Sequence, residues 1–208
     1  MLATATPRST VPSSSRTSSF ISHVSLPKRN EAYYNVYEDA RRAKVSEIVF
    51  ASTNHTQNAY IMGKTSLTED LTLAKKLGLI KLSDPTAPDS LYGVSKLFGE
   101  DLGRYYSRFY GIKFVSLRIG ALSEVHWNRL WMEGDKPTQD HGRVMYLSKR
   151  DLIDVTDKAL QIDTDYIVAY AVSDNKPAVF DLTETREKLG FNPKDNSKTI
   201  LEEDYLKS

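Results

Sequence analysis

Tyr92 and Lys96 stand one helical turn apart in DSLYGVSKLFGED, residues 89–101. A phenol ionises near pH ~10, so only about one molecule in a thousand is phenolate at neutrality. An ammonium held roughly 4 Å away in a partly screened site contributes about 4 kcal/mol, close to three pKa units, and brings the phenolate into range as a general base. The same spacing recurs at Tyr60 and Lys64, and a tyrosine packed on the aliphatic stem of a lysine would share it without any chemistry. Such a base also needs a hydroxyl nearby to hold the substrate oxygen. Ser52 and Thr53, followed by Asn54 and His55, offer one in FASTNH, where a β-branched run ends in small polar residues. Ligands of open α/β sheets collect at strand exits of this kind.

The two tyrosine–lysine pairs differ in what carries them. Gly63 interrupts Tyr60 and Lys64, and no helical stripe continues from them. Tyr92 and Lys96 open a helix in which Leu91, Val94, Phe98, Leu102, Tyr105 and Phe109 recur at i, i+3 and i+4 steps, with Asp89 expected as its N-cap after Pro88. Gly99 and Gly103 share a face with Tyr92, Lys96 and Tyr106. Each costs about 1 kcal/mol against alanine in a helix, so a close approach of another backbone or a ligand is expected there.

Around this pair, EAYYNVYEDARRAK predicts a helix over 31–43 and VSEIVFAST a strand. Residues 58–84 read as a polar connection with a helix near Leu71–Leu77. IKFVSLRIGAL reads as a buried strand, Glu124–Arg143 as a loop, and a helix follows from about Asp151. YIVAYAV is a strand and TETREKLG a helix that stops at Gly190, ahead of Pro193. Helices alternating with apolar strands imply an α/β fold whose parallel sheet is covered on both faces.

A chain of 208 residues, 40% hydrophobic, can bury one good core. Twenty-eight bases against 27 acids give +1, which offers no general field for nucleic acid or an acidic membrane. The first 29 residues hold twelve serines and threonines and no acid. Such a stretch cannot offset its ordering entropy by burial, so 1–29 is expected to be a disordered or unrelated leader and 30–208 the folded unit; a transit peptide has the same composition. The absence of cysteine excludes disulfides and thiolate chemistry and suits a reducing cytoplasm. No apolar run approaches the ~18 residues of a membrane span.

YNVYEDARRAKVSEIVFASTNH, PDSLYGVSKLFGEDLGRYY, LRIG, YLSKRDL, YAVSDN and REKLGFNP together resemble the extended short-chain dehydrogenase/reductase (NAD-dependent epimerase/dehydratase) family. Within it they are most similar to sugar dehydrogenases, among them uronate dehydrogenase and the archaeal NAD-dependent glucose-6-phosphate dehydrogenase. The resemblance implies a Rossmann-type doubly wound parallel sheet and oxidation of a hexose hemiacetal at C1 to a lactone, with NAD, or alternatively NADP, as acceptor. It assigns Tyr92 as the base, Lys96 as the residue that lowers its pKa and holds the nicotinamide ribose, and Thr53 as the hydroxyl that orients the reacting oxygen. Ser52, Asn54 and His55 would line the sugar site, Ile119 would meet the nicotinamide carboxamide, and Arg143 would meet a sugar carboxylate or phosphate. Ala121 stands where these dehydrogenases often carry serine, and Arg29 falls in register with the family's active-site asparagine. Gly63 is the first glycine of the sequence, so the fold is expected to be partial, without the family's first strands and Gly-rich phosphate loop. The alternatives are a nucleotide-sugar epimerase or dehydratase on the same scaffold, or a truncated, non-catalytic product. Expected partners are a small sugar and, through the Tyr92 helix and the helix before the catalytic strand, a second copy of the chain.

Overall fold

Three β-branched and aromatic runs, each flanked by helical segments, pair in parallel and set the architecture. The computed structural model describes residues 26–61, 78–122, 133 and 136–198. In chain order the elements are α1 (Leu26–Arg42), β1 (Glu47–Thr53), α2 (Leu91–Tyr110), β2 (Lys113–Ile119), β3 (Ala121–Leu122), α3 (Lys136–Met145), β4 (Tyr146–Leu147), α4 (Lys149–Gln161), β5 (Tyr166–Ala171) and α5 (Thr183–Leu189). The sheet order is β1–β2–β5, and β3 pairs with β4 in a smaller parallel ladder. Thr53 lies opposite Ile119, and Ile119 opposite Ala171. All three strands therefore end at the same edge, as the alternation of strands and helices requires.

Side-chain alternation along β2 divides the core. Phe114 belongs to an aromatic cluster with Tyr37 of α1, Phe50 of β1 and Tyr106 of α2. Val115 and Leu117 point the other way, into a cluster with Val155 and Ala159 of α4 and Leu189 of α5. Helices thus cover both faces, as expected for a doubly wound α/β fold. Among the described residues, no helix is long and apolar enough to cross a membrane.

Several expectations change. α1 begins at Leu26 rather than 31, because Pro27 is tolerated in a first helical turn and the polar run Lys28–Asn30 carries no apolar period to announce it. The remainder of the Ser/Thr-rich stretch, residues 1–25, lies outside the described residues, as do Lys64 and the Leu71–Leu77 helix. The end of the Glu124–Arg143 loop is helical, forming α3, whose buried Val144 and Met145 come only in its last turn. Ser90, not Asp89, caps α2, accepting from the Gly93 N–H at 3.2 Å. α5 does end at Gly190, in the left-handed conformation at φ 70°.

α2 also presents a different face from the one its apolar stripe implies. Leu91, Val94, Phe98, Tyr105 and Phe109 are exposed, while Gly93, Gly99, Gly103 and Tyr106 are buried. Gly99 and Gly103 make room for rings rather than for backbone or ligand: a Cβ on Gly99 would lie 2.5 Å from the Phe50 ring, and one on Gly103 2.2 Å from that of Phe114. Phe114 is fully buried and has nowhere to retreat. Gly103→Ala should therefore lower stability by about 1–3 kcal/mol despite alanine's better helix propensity. Urea denaturation measures it, and an unchanged midpoint would show that the ring relaxes freely.

Candidate active site

β1 delivers Thr53 to the carboxyl edge of the sheet, and the chain turns there into two short 3-10 turns, Asn54–Thr56 and Asn58–Tyr60. The Thr53 hydroxyl caps the first of them, accepting from the His55 N–H at 3.3 Å. α2 starts against this turn: a Cβ on Gly93 would fall 2.5 Å from the His55 carbonyl oxygen. Close packing of Gly93 on that carbonyl brings Tyr92 over the strand exit. The Tyr92 phenol lies near enough to Thr53 for that side chain to pull its pKa down, and its ring meets that of His55 edge-on at 5.7 Å. Thr53, His55, Tyr92 and Lys96 are thus gathered at one strand end, with Ile119 the neighbour of Thr53 on β2.

The electrostatics of the pair differ from expectation. Lys96 donates its Nζ–H to the Ala51 carbonyl at 2.7 Å and lies 5.6 Å from the centre of the Tyr92 ring. Burial pushes the Tyr92 phenol above its ordinary value, against the opposing pull of the Thr53 side chain and the Arg29 charge. Burial likewise pushes the Lys96 ammonium down, and Arg29 adds to that effect. The side chains that pull the Tyr92 pKa down in this arrangement are Thr53 and Arg29. Desolvation of the phenol wins, and the lysine's proton is directed at a backbone carbonyl.

Other predicted residues divide. Ser52 turns away from Tyr92: it is buried and donates to Glu100 at 2.5 Å. Asn54 is buried and donates its amide to the Met145 sulfur at the end of α3. Arg143 stands half-buried in the last turn of the same helix, so the structure brings the helix of Arg143 to the turn after Thr53. Tyr60, of the rival pair, is exposed and donates to the Pro85 carbonyl at 3.1 Å.

Two features escaped the sequence reading. Asp89 is the partner of His55, whose Nδ1 lies 2.9 and 2.8 Å from its two carboxylate oxygens, and Asn58 donates to the same carboxylate at 2.6 Å. Burial raises the Asp89 pKa, but the His55 and Asn58 hydrogen bonds outweigh it and hold the carboxyl below its ordinary value. A depressed carboxylate stabilises the fold above its unfolded pKa, and that contribution fades as pH falls through the folded value. Asp89→Asn should therefore cost about 1–3 kcal/mol at neutral pH, with the gap to wild type closing as pH falls below about 4. Thermal unfolding measured across pH 2.5–7 checks this, and a gap that does not change with pH would remove the ionic contribution. The second feature is a buried network in which Arg118 donates to both Glu100 oxygens, at 3.0 and 2.8 Å, and to Gln57 Oε1 at 2.8 Å.

Residues 28–123 match the family model described as "NAD dependent epimerase/dehydratase family". The L-arabinose 1-dehydrogenase (NAD(P)(+)) of Haloferax volcanii is 37% identical over 171 residues, which are 81% of this chain and 66% of that protein. The chain belongs to the NAD-dependent epimerase/dehydratase family. The uronate dehydrogenase of Pseudomonas syringae pv. tomato is 35% identical over 80% of this chain and 52% of its own length. The crystal structure of uronate dehydrogenase from Agrobacterium tumefaciens superimposes with a TM-score of 0.64 at 26% identity, covering 88% of this chain and 59% of that one. The chain thus spans between half and two thirds of the family members it matches here. The parallel sheet agrees with membership of the family.

Proposed function

We propose that this chain carries the proton-transfer and sugar-binding side of an NAD-dependent sugar dehydrogenase that oxidises the C1 hemiacetal of a hexose derivative to a lactone. The observation that carries the reading is the placement of Tyr92 beside Thr53 at the carboxyl edge of a parallel sheet, with Lys96 one turn along the helix. The donor set fits the nicotinamide end of a dinucleotide: a phenol, an ammonium, a hydroxyl and the backbone at Ile119 stand together. Lys96 and Ile119 would hold that end, and NAD, when bound, supplies the hydride acceptor. Thr53 orients the C1 hydroxyl. The Tyr92 phenolate takes the proton from that oxygen as the C1–H bond breaks. His55, fixed by Asp89, and Asn54 offer polar contacts to the sugar ring, and Arg143 is the candidate for a carboxylate or phosphate on it. The uronate dehydrogenase relatives support this substrate class, the L-arabinose enzyme supports C1 oxidation of a sugar more broadly, and the lack of cysteine agrees with a cytoplasmic setting.

We further propose that two copies pair through the exposed face of α2, on which Leu91 is 70% and Phe109 63% accessible, together with Tyr34 and Val36 of α1. An apolar stripe of that length is costly to leave in water.

Spectrophotometric assay of the purified chain with NAD or NADP and a hexuronate, a hexose 6-phosphate and neutral sugars tests the function. Turnover of a hexuronate or a hexose 6-phosphate is expected; a chain that binds NAD by calorimetry yet oxidises none of them sinks the reading. Arg143→Ala should raise KM for the acidic sugar by about tenfold or more, in line with loss of a charge-assisted hydrogen bond, and leave that for a neutral sugar nearly unchanged. Equal effects on both would take Arg143 out of the site.

A further inference from the structure

One charged side chain touches this site and has no part in the reaction above. Arg29, in the first turn of α1, sets its guanidinium carbon 5.3 Å from the centre of the Tyr92 ring. The groups that face Tyr92 can be taken element by element: Arg29 and Tyr33 from α1, the Thr53 hydroxyl from the end of β1, His55 from the turn after it, and Lys96 from α2. Asp89, from the loop before α2, is taken up by His55 and Asn58. Among the described residues, the cations Arg29 and Lys96 both face the Tyr92 ring, and they are not equivalent.

Lys96 is the weaker provider. Its ammonium directs one N–H at the Ala51 carbonyl and lies among the Tyr33, Phe50 and Tyr92 rings, at 5.5, 5.0 and 5.6 Å. Burial lowers its pKa while burial raises that of Tyr92, so the lysine tends to lose its charge in the alkaline range where the phenol ionises. A guanidinium stays charged throughout that range and packs flat on an aromatic face.

We propose that Arg29 is a positioning residue of this site, packing on the Tyr92 ring and supplying the permanent positive charge that favours phenolate over phenol. The proposal rests on the reading of Tyr92 as the proton acceptor. It leaves Lys96 to orient what binds beside the phenol, and it makes the start of α1 part of the catalytic apparatus.

The test replaces Tyr92 in the full chain with 3,5-difluorotyrosine, whose fluorines bring the phenol's ionisation into the pH range where proteins stay folded, and follows it by fluorine NMR. Arg29→Gln and Arg29→Met should raise the midpoint by about one pH unit, the Met variant keeping the aliphatic packing, while Arg29→Lys should move it by less than half as much. Circular dichroism establishes that each variant is folded. A midpoint within ~0.2 units of wild type in either charge-removing variant overturns the proposal, as does an Arg29→Lys shift as large as that of Arg29→Gln. The titration needs neither NAD nor sugar. A shifted midpoint in a chain that oxidises no sugar would sink the dehydrogenase reading and keep the role of Arg29; normal turnover with an unshifted midpoint would do the reverse.

Discussion

Tyr92→Phe should reduce kcat/KM for sugar oxidation by about 10²–10⁴-fold, the range for loss of a general base. The phenylalanine keeps the ring contact with His55 and the cover over the strand exit, so the variant should fold normally and bind sugar nearly as well. Only the proton acceptor is missing. Tyr60→Phe is the control: that hydroxyl is exposed and, among the described residues, donates to the Pro85 carbonyl. Its removal should change turnover by less than twofold, the scale of a surface substitution. The pH profile gives a second reading of the same group. Because burial holds the Tyr92 phenol above its ordinary value of 10.0, kcat/KM of wild type should keep rising toward pH ~10 rather than level off near neutrality. Near-normal turnover in Tyr92→Phe would end the assignment, and a profile flat from pH 7 upward would mean that bound dinucleotide resets the phenol.

How far the site could be read from the chain depended on whether local order or long-range packing decides each residue. Thr53, Tyr92 and Ile119 converge because parallel strands joined by helices must end at one edge, and that much follows from alternation alone. The face of α2 does not follow from its apolar period. The stripe Leu91–Phe109 is the more hydrophobic side, yet the buried side is the one carrying small residues, because only there can the Phe50 and Phe114 rings reach the helix. Asp89 looked like a cap because caps are local, whereas its pairing with His55 spans 34 residues. Proximity of Lys96 to Tyr92 was legible, but the direction of its ammonium toward the Ala51 carbonyl was not. Burial of the phenol and the carbonyl of Ala51 enter only with the tertiary structure.

The widest gap between sequence and structure is the pair Arg118–Glu100, and its loss should be the most damaging change to the fold. Arg118 reads as a charge spoiling the apolar strand KFVSLRI, yet its side chain is 5% exposed and that of Glu100 3%. Burial alone would lower the Arg118 pKa, and the Glu100 carboxylate more than restores it, leaving the guanidinium above its ordinary value. Gln57 receives hydrogen bonds from Arg118 and Tyr170 on its oxygen and donates to the Lys81 and Asp84 carbonyls, while Ser52 donates to Glu100. The network therefore ties the exit of β1, the middle of α2 and the loop leading to Tyr92 into one unit. Glu100→Leu leaves an uncompensated buried cation and should cost about 3–5 kcal/mol, as should Arg118→Met in the opposite sense. The double variant removes both charges and should recover much of that loss, since a buried pair replaced whole by apolar groups is often neutral. Ser52 would still lack its Glu100 partner and Gln57 the hydrogen bond from Arg118, so activity should recover less than stability does. Urea denaturation of the four members of the cycle, with turnover measured on each, separates the two effects. Additive losses of stability in the double variant would show that Glu100 and Arg118 act independently and that the network does not hold the site.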